Sequence, residues 1–297
     1  MKKLLILSGK GGTGKTTAAA AFIQFAKARA FADCDVDAPN LHLIERFASP
    51  PERSVYYGAQ KARIDPDRCV SCGKCSSACR FGAIRPLDGG YAVDEYACEG
   101  CGVCAYVCGA GAARLCPDAA GETRLYAGAR TFSTARLKMG RGNSGKLVSA
   151  VKAALEARGS GVHFAVIDGS PGIGCPVISS MSGVDMVLVV AEPSLSGLSD
   201  MQRILRTAEI FQTRAMVCIN KYDVSPENTR RIEQYCRENG VELAGRIPFD
   251  EKVPEAVNAG ICIAQVDCPA RDALKRAFDR VSERMGGVEA IEDCNAD

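Results

Sequence analysis

Apolar residues along this chain fall mostly in short unbroken runs. Lys3 to Leu7 reads as a strand, a glycine loop follows it, and Lys15 to Ala28 reads as an Ala-rich helix carrying Phe22, Ile23 and Phe25. A second strand ends at Asp33. Leu125 to Leu137 reads as a strand or hairpin, Gly145 to Ala157 as a helix, and Val162 to Asp168 as a buried strand. Asp185 to Ala191 and Ala215 to Asn220 repeat the run typical of a parallel strand, with helices at Ser199 to Phe211 and Pro226 to Glu238 between and after them. This alternation predicts an α/β chain with a doubly wound, mostly parallel sheet.

The pattern breaks from about Tyr57 to Arg114, where Cys and Gly dominate. The expected organisation is therefore one α/β domain in two parts, residues 1–56 and 115–297, with an insert at 57–114. Cys69, Cys72, Cys75 and Cys79 recur in identical spacing as Cys98, Cys101, Cys104 and Cys108, an internal duplication. Each set has the bacterial ferredoxin spacing, in which the fourth cysteine serves the other cluster. Three thiolates on a tight loop cover one face of a cubane, so the last ligand comes from elsewhere. The expected sets are Cys69, Cys72, Cys75 and Cys108 for one 4Fe-4S cluster, and Cys98, Cys101, Cys104 and Cys79 for the other. Gly73 and Gly102 hold matching places in the two loops. Structural zinc is the competing use of such cysteines. The proline that usually follows the fourth cysteine is Arg80 in one motif and Gly109 in the other, and Cys116 offers a substitute ligand. The insert thus reads as a ferredoxin-like α+β domain.

Gly9-Lys10-Gly11-Gly12-Thr13-Gly14-Lys15-Thr16 fits the G-x-x-x-x-G-K-[ST] phosphate loop, placed after a strand and opening a helix. Its backbone N–H groups and the helix N-terminus suit phosphate oxygens. Lys15 is expected to reach the β- and γ-phosphates, Thr16 to ligate Mg²⁺, and Thr17 to line the same site. Asp168, at the end of an apolar strand, is the candidate second carboxylate of the Mg²⁺ shell.

Lys10 in Gly9-Lys10-Gly11-Gly12 resembles the deviant phosphate loop of the MinD, ParA, Mrp and nitrogenase iron protein class of P-loop ATPases. That resemblance implies ATP-dependent dimerisation, as a homodimer or with a related ATPase, in which Lys10 reaches phosphates bound to the opposite subunit. Asp33-Cys34-Asp35-Val36-Asp37 resembles the same class's first switch, implying that Asp35 positions the attacking water and Asp33 lies near Mg²⁺. Asp37 would be a further acid of that turn. Cys175 stands where the nitrogenase iron protein has a ligand of a bridging cluster, although buried packing is the commoner use of a lone cysteine. Asn220-Lys221-Tyr222-Asp223 matches the guanine-binding N-K-x-D pattern, but in the MinD class Asn220, with backbone near Pro248, is expected to meet adenine.

Composition narrows the remaining choices. Sixteen cysteines in a reducing compartment point to metal or redox chemistry rather than disulfides. A net charge of +2 provides no broad basic field for nucleic acid. The apolar run after Met1 stops at Ser8, too short for a signal peptide, so a cytoplasmic protein is expected. Asp272 to Met285 reads as a docked terminal helix, and the acids Glu289, Glu292, Asp293 and Asp297 beyond it disfavour an anionic membrane. His42 and His163, the only histidines, leave little room for histidine-based hydrolysis. The expected function is ATP hydrolysis coupled to electron transfer or to iron-sulfur or metallocofactor assembly in an acceptor protein. The alternative is a MinD-like positioning ATPase with the insert as redox sensor.

Overall fold

Strands with both faces buried need helices on both sides, and the computed structural model, which describes residues 1–287 except 46, 48 and 160, meets that need. The chain divides into two compact units, one of residues 1–53, 123–136 and 145 onward, the other of residues 54–122 and 137–144. The acidic tail residues Glu289, Glu292, Asp293 and Asp297 lie outside the described residues.

In the first unit, β1 (Lys2–Leu7) runs parallel to β10 (Phe164–Asp168) on one side and β11 (Met186–Ala191) on the other. β10 continues to β2 (Ala30–Asp33) and then β9 (Thr131–Leu137). β11 continues to β12 (Arg214–Asn220) and β13 (Glu242–Ile247). All these pairings are parallel, as the apolar runs predict. The sheet order is completed by β8 (Ala119–Tyr126) and β3 (Glu52–Tyr57), and the division between the units falls within β3, β8 and β9. Helix α1 (Lys15–Phe25) buries Ala18 to Ile23 and packs on α9 (Pro269–Arg284), where Phe22 and Phe278 meet edge to face at 5.3 Å. Helices α4 (Ser144–Arg158), α5 (Cys175–Met181), α6 (Leu195–Ile210) and α7 (Pro226–Glu238) fill the crossovers, and α8 (Lys252–Asn258) follows the last strand. β3, β13 and α8 have too little apolar periodicity to be read from sequence alone.

The second unit is built around the cysteine duplication. β4 (Lys61–Ile64) pairs antiparallel with β7 (Ala113–Cys116), and β5 (Ile84–Leu87) with β6 (Gly90–Val93). Each repeat contributes one short helix, α2 (Lys74–Ala78) and α3 (Val103–Tyr106). The helices start from Gly73 and Gly102 at φ 77° and 81°, a left-handed conformation that suits glycine. This unit exceeds the 57–114 segment because residues 137–144 belong to it: Arg141 pairs with Glu95 and with Asp118 at 3.0 Å.

Candidate functional site: a phosphate loop and two thiol cages

Parallel sheets place ligands beyond the carboxyl ends of their strands. Here those ends bring together the Gly9–Thr16 loop after β1, Glu192 after β11, and Asp33, Asp168 and Asn220 as the last residues of β2, β10 and β12. Gly14 has φ 90°, and a Cβ there would stand 2.4 Å from Asn220 Nδ2, so the tight turn requires glycine.

Lys15 is buried, and its Nζ lies 2.6 Å from Asp168 Oδ1 and 3.9 Å from Asp35 Oδ2. Thr16 Oγ1 donates to the other oxygen, Asp168 Oδ2, at 2.7 Å. One carboxylate therefore holds both phosphate-loop side chains expected to serve phosphate and metal. Burial alone would lower the Lys15 pKa, but Asp168, backed by Asp33 and Asp35, outweighs it and raises the pKa. Asp35 is shifted upward by burial, against the pull of Lys15.

Asp33 accepts N–H bonds from Asp35, Asn40 and Leu41 at 3.0, 2.9 and 3.0 Å. Burial and the nearby Asp168 charge push its pKa up to about 7 despite these bonds. It is thus the clasp of the 35–41 loop as well as a neighbour of the Asp168 pair. Cys34, between the two acids, is buried and pushed up to about 12 by desolvation, which leaves it inert.

Lys10 projects outward, 3.1 Å from Glu192 Oε2 and 3.5 Å from Ser196 Oγ. Glu192 was not foreseen, because no local motif marks it.

A cavity of about 420 Å³ is lined by Gly12, Lys15, Thr16, Thr17, Asn220 and Pro248, with Phe249, Val253 and Val257 on its apolar wall. Asn220 Nδ2 donates to the Thr13 carbonyl at 2.8 Å, tying this wall to the phosphate loop. Asp223, the last member of the N-K-x-D match, accepts the Phe249 N–H at 2.8 Å and is not among the residues lining the cavity. The apparent guanine signature is here a loop tether. Cys175 is exposed at the start of α5, not buried in packing as a lone cysteine commonly is.

In the cysteine-rich unit, the thiols sort across the repeats. Cys69, Cys72, Cys75 and Cys108 line one cavity, and Cys79, Cys98, Cys101 and Cys104 line a second. Cys116, on β7, lines neither. Among the described residues, no three His, Cys, Asp or Glu side chains are grouped to hold a metal ion. Backbone N–H groups of Ala112 and Ala113 donate to Cys108 Sγ at 3.2 and 3.4 Å, and that of Ala62 to Cys98 Sγ at 3.4 Å. The bonds from Ala113 and its neighbours lower the Cys108 pKa, while burial raises those of Cys75 and Cys104.

The sequence profile of the CobQ/CobB/MinD/ParA nucleotide-binding domain matches residues 4–263. An uncharacterised protein of Methanocaldococcus jannaschii is 31% identical over 95% of this chain and 96% of its own length. The iron-sulfur cluster carrier protein of that organism is 26% identical over 42% of this chain and 48% of its own. Among solved structures, the cell division ATPase MinD of Pyrococcus furiosus superposes with a TM-score of 0.58 at 16% identity, covering 95% of this chain and 99% of that one. MinD of Pyrococcus horikoshii, solved with Mg-ADP, gives 0.57 at 16% identity, covering 96% and 97%. These last two likenesses speak to fold alone. No helix among the described residues is long and apolar enough to cross a membrane.

Proposed function

Because this chain belongs to the CobQ/CobB/MinD/ParA nucleotide-binding family, we propose that it is a magnesium-dependent ATPase whose nucleotide-driven dimerisation is coupled to two 4Fe-4S clusters. The clusters serve electron transfer, or assembly of an iron-sulfur or metallocofactor centre in an acceptor protein. The observation that carries this reading is the sorting of eight cysteines into two cages of four across the duplication. The donor set fits: each cage offers four thiols, with N–H groups directed at Cys98 and Cys108, and a cubane takes one thiolate per iron. When bound, such clusters supply one-electron redox chemistry.

The nucleotide half works by exchange of partners. Incoming ATP phosphates meet the backbone N–H groups of the Gly9–Thr16 loop and draw Lys15 away from Asp168. Thr16 and Asp168 would then hold Mg²⁺, which would supply charge compensation for the phosphate oxygens. Asp35 orients the water that attacks the γ-phosphorus as the bond to the ADP oxygen breaks. Asp33 keeps the 35–41 loop in place for this, and its charge lies within reach of Asp168 and Lys15. Adenine sits in the cavity beside Asn220, Pro248 and Phe249. Lys10 leaves Glu192 and reaches across the dimer, where a cation counters transition-state charge.

The test is anaerobic purification with iron and sulfide counting and EPR, followed by ATPase assays. Reduced protein is then offered oxidised methyl viologen, and the as-isolated protein apo-ferredoxin, each with and without ATP. ATP-dependent dye reduction identifies an electron donor, and ATP-dependent holo-ferredoxin formation an assembly factor. Zinc in place of iron would overturn the cluster reading.

A further inference from the structure

The β4–β7 ribbon has two chemically distinct faces. On its inner face, Ala62, Ile64, Ala113 and Leu115 pack with Cys75, Cys98 and Cys104. The ribbon's N–H groups touch one thiol of each cage, Ala62 at Cys98 and Ala113 at Cys108. On the outer face, Arg63 and Arg114 are directly opposed in the antiparallel register, and both are exposed. Like charges so placed repel and cost stability unless something outside answers them.

Nothing within the described residues does. Three other arginines of this unit find acceptors, while exposed Arg80 has none either among the described residues: Arg141 reaches Glu95 and Asp118, Arg85 reaches Asp94, and Arg68 reaches the Ala110 carbonyl. Arg63 and Arg114 make no hydrogen bond or ion pair among the described residues. Lys61, on the same outer face, gives its ammonium to the Cys98 carbonyl.

We propose that this outer face, centred on the Arg63–Arg114 pair, is the docking surface of a small acidic electron-carrier protein. The proposal rests on the reading that the cages hold clusters. Paired guanidinium forks match carboxylates two bonds at a time, which favours a carboxylate cluster on a folded protein. Asp65 and Asp67 follow Arg63 and close off the positive area, so a long polyanion such as nucleic acid would meet repulsion within a few residues. A carrier seated there is separated from both cages by a single layer of backbone. The step served moves one electron and no atoms: the carrier is oxidised by one electron as one cluster is reduced, and no bond forms or breaks.

The test uses full-length protein whose iron, sulfide and reduced-state EPR signal are first measured. Fluorescently labelled acidic flavodoxin is the probe, titrated at low and high salt against wild type, the Arg63→Glu/Arg114→Glu variant and the Arg63→Lys/Arg114→Lys variant. We expect salt-sensitive binding by wild type, weakened about tenfold or more by the double reversal and largely kept by the lysines. Because both side chains are exposed and unpartnered, iron content and melting temperature should be the same in all three. Absence of wild-type binding, or reversal that leaves affinity unchanged, overturns the proposal while intact clusters keep the functional reading standing. Equal dependence on the two arginines for binding duplex DNA also overturns it. A wild-type protein without iron fails the functional reading instead.

Discussion

Lys10 Nζ rests 3.1 Å from Glu192 Oε2, so the lysine that marks this phosphate loop is held by its own subunit. Both side chains are partly solvated, and such a pair is worth at most about 1 kcal/mol, a contact that the proposed nucleotide-driven assembly would break easily. Lys10→Ala is expected to keep ATP affinity within a few-fold while turnover falls by about 10²-fold or more. Glu192→Gln should retain turnover and lower the protein concentration needed for half-maximal ATPase. A concentration series of steady-state ATPase measures both, and unchanged turnover in Lys10→Ala would remove the cross-dimer role.

Among the described residues, Lys15 is the one cation in direct contact with Asp168. Its removal leaves Asp168, Asp33 and Asp35 as uncompensated buried or half-buried acids. Lys15→Ala should abolish hydrolysis and destabilise the nucleotide-free protein by about 3 kcal/mol. Denaturant unfolding of the two proteins without nucleotide reads this directly. A variant as stable as wild type would mean that water already solvates the acids.

Asp223 gives one carboxylate oxygen to the Phe249 N–H and is not among the residues lining the cavity where a base would be read. Wild type should prefer ATP to GTP by at least about tenfold in competition with a fluorescent ATP analogue. Asp223→Ala should loosen the 249–250 loop and weaken ATP a few-fold without reversing that preference. A GTP-preferring wild type would sink the assignment of the cavity to adenine.

The cages make an asymmetric prediction for single substitutions. Cys79→Ala should damage the cluster of Cys98, Cys101 and Cys104 and leave its neighbour intact, although Cys79 lies in the first repeat. Cys108→Ala should do the reverse, and Cys116→Ala neither. Iron content should fall from about eight atoms to about four per chain in the first two variants. EPR of the reduced proteins then shows which signal is lost.

What was readable in the sequence was what lies within one stretch of chain or one repeat. The phosphate loop is contiguous, Asp168 ends an apolar run, and the cysteine spacing itself implies the crossed sets that line the two cavities. Long-range pairings were not readable. Glu192 opposite Lys10, Asp223 beneath Phe249, residues 137–144 joining the cysteine-rich unit through Arg141, and Arg63 facing Arg114 all depend on register and topology. Asp33 was expected beside Mg²⁺; its three bonds to the 35–41 backbone could not be anticipated from a cluster of acids.

Each cage draws three thiols from one repeat and its fourth from the other. During synthesis, therefore, neither can close when the first repeat leaves the ribosome. Cys69, Cys72 and Cys75 must wait for Cys108, and by then every thiol of the second cage has also emerged. The thiols that complete the two cages, Cys104 and Cys108, emerge in close succession, and a chain arrested before Cys108 would carry no finished first cage for premature loading.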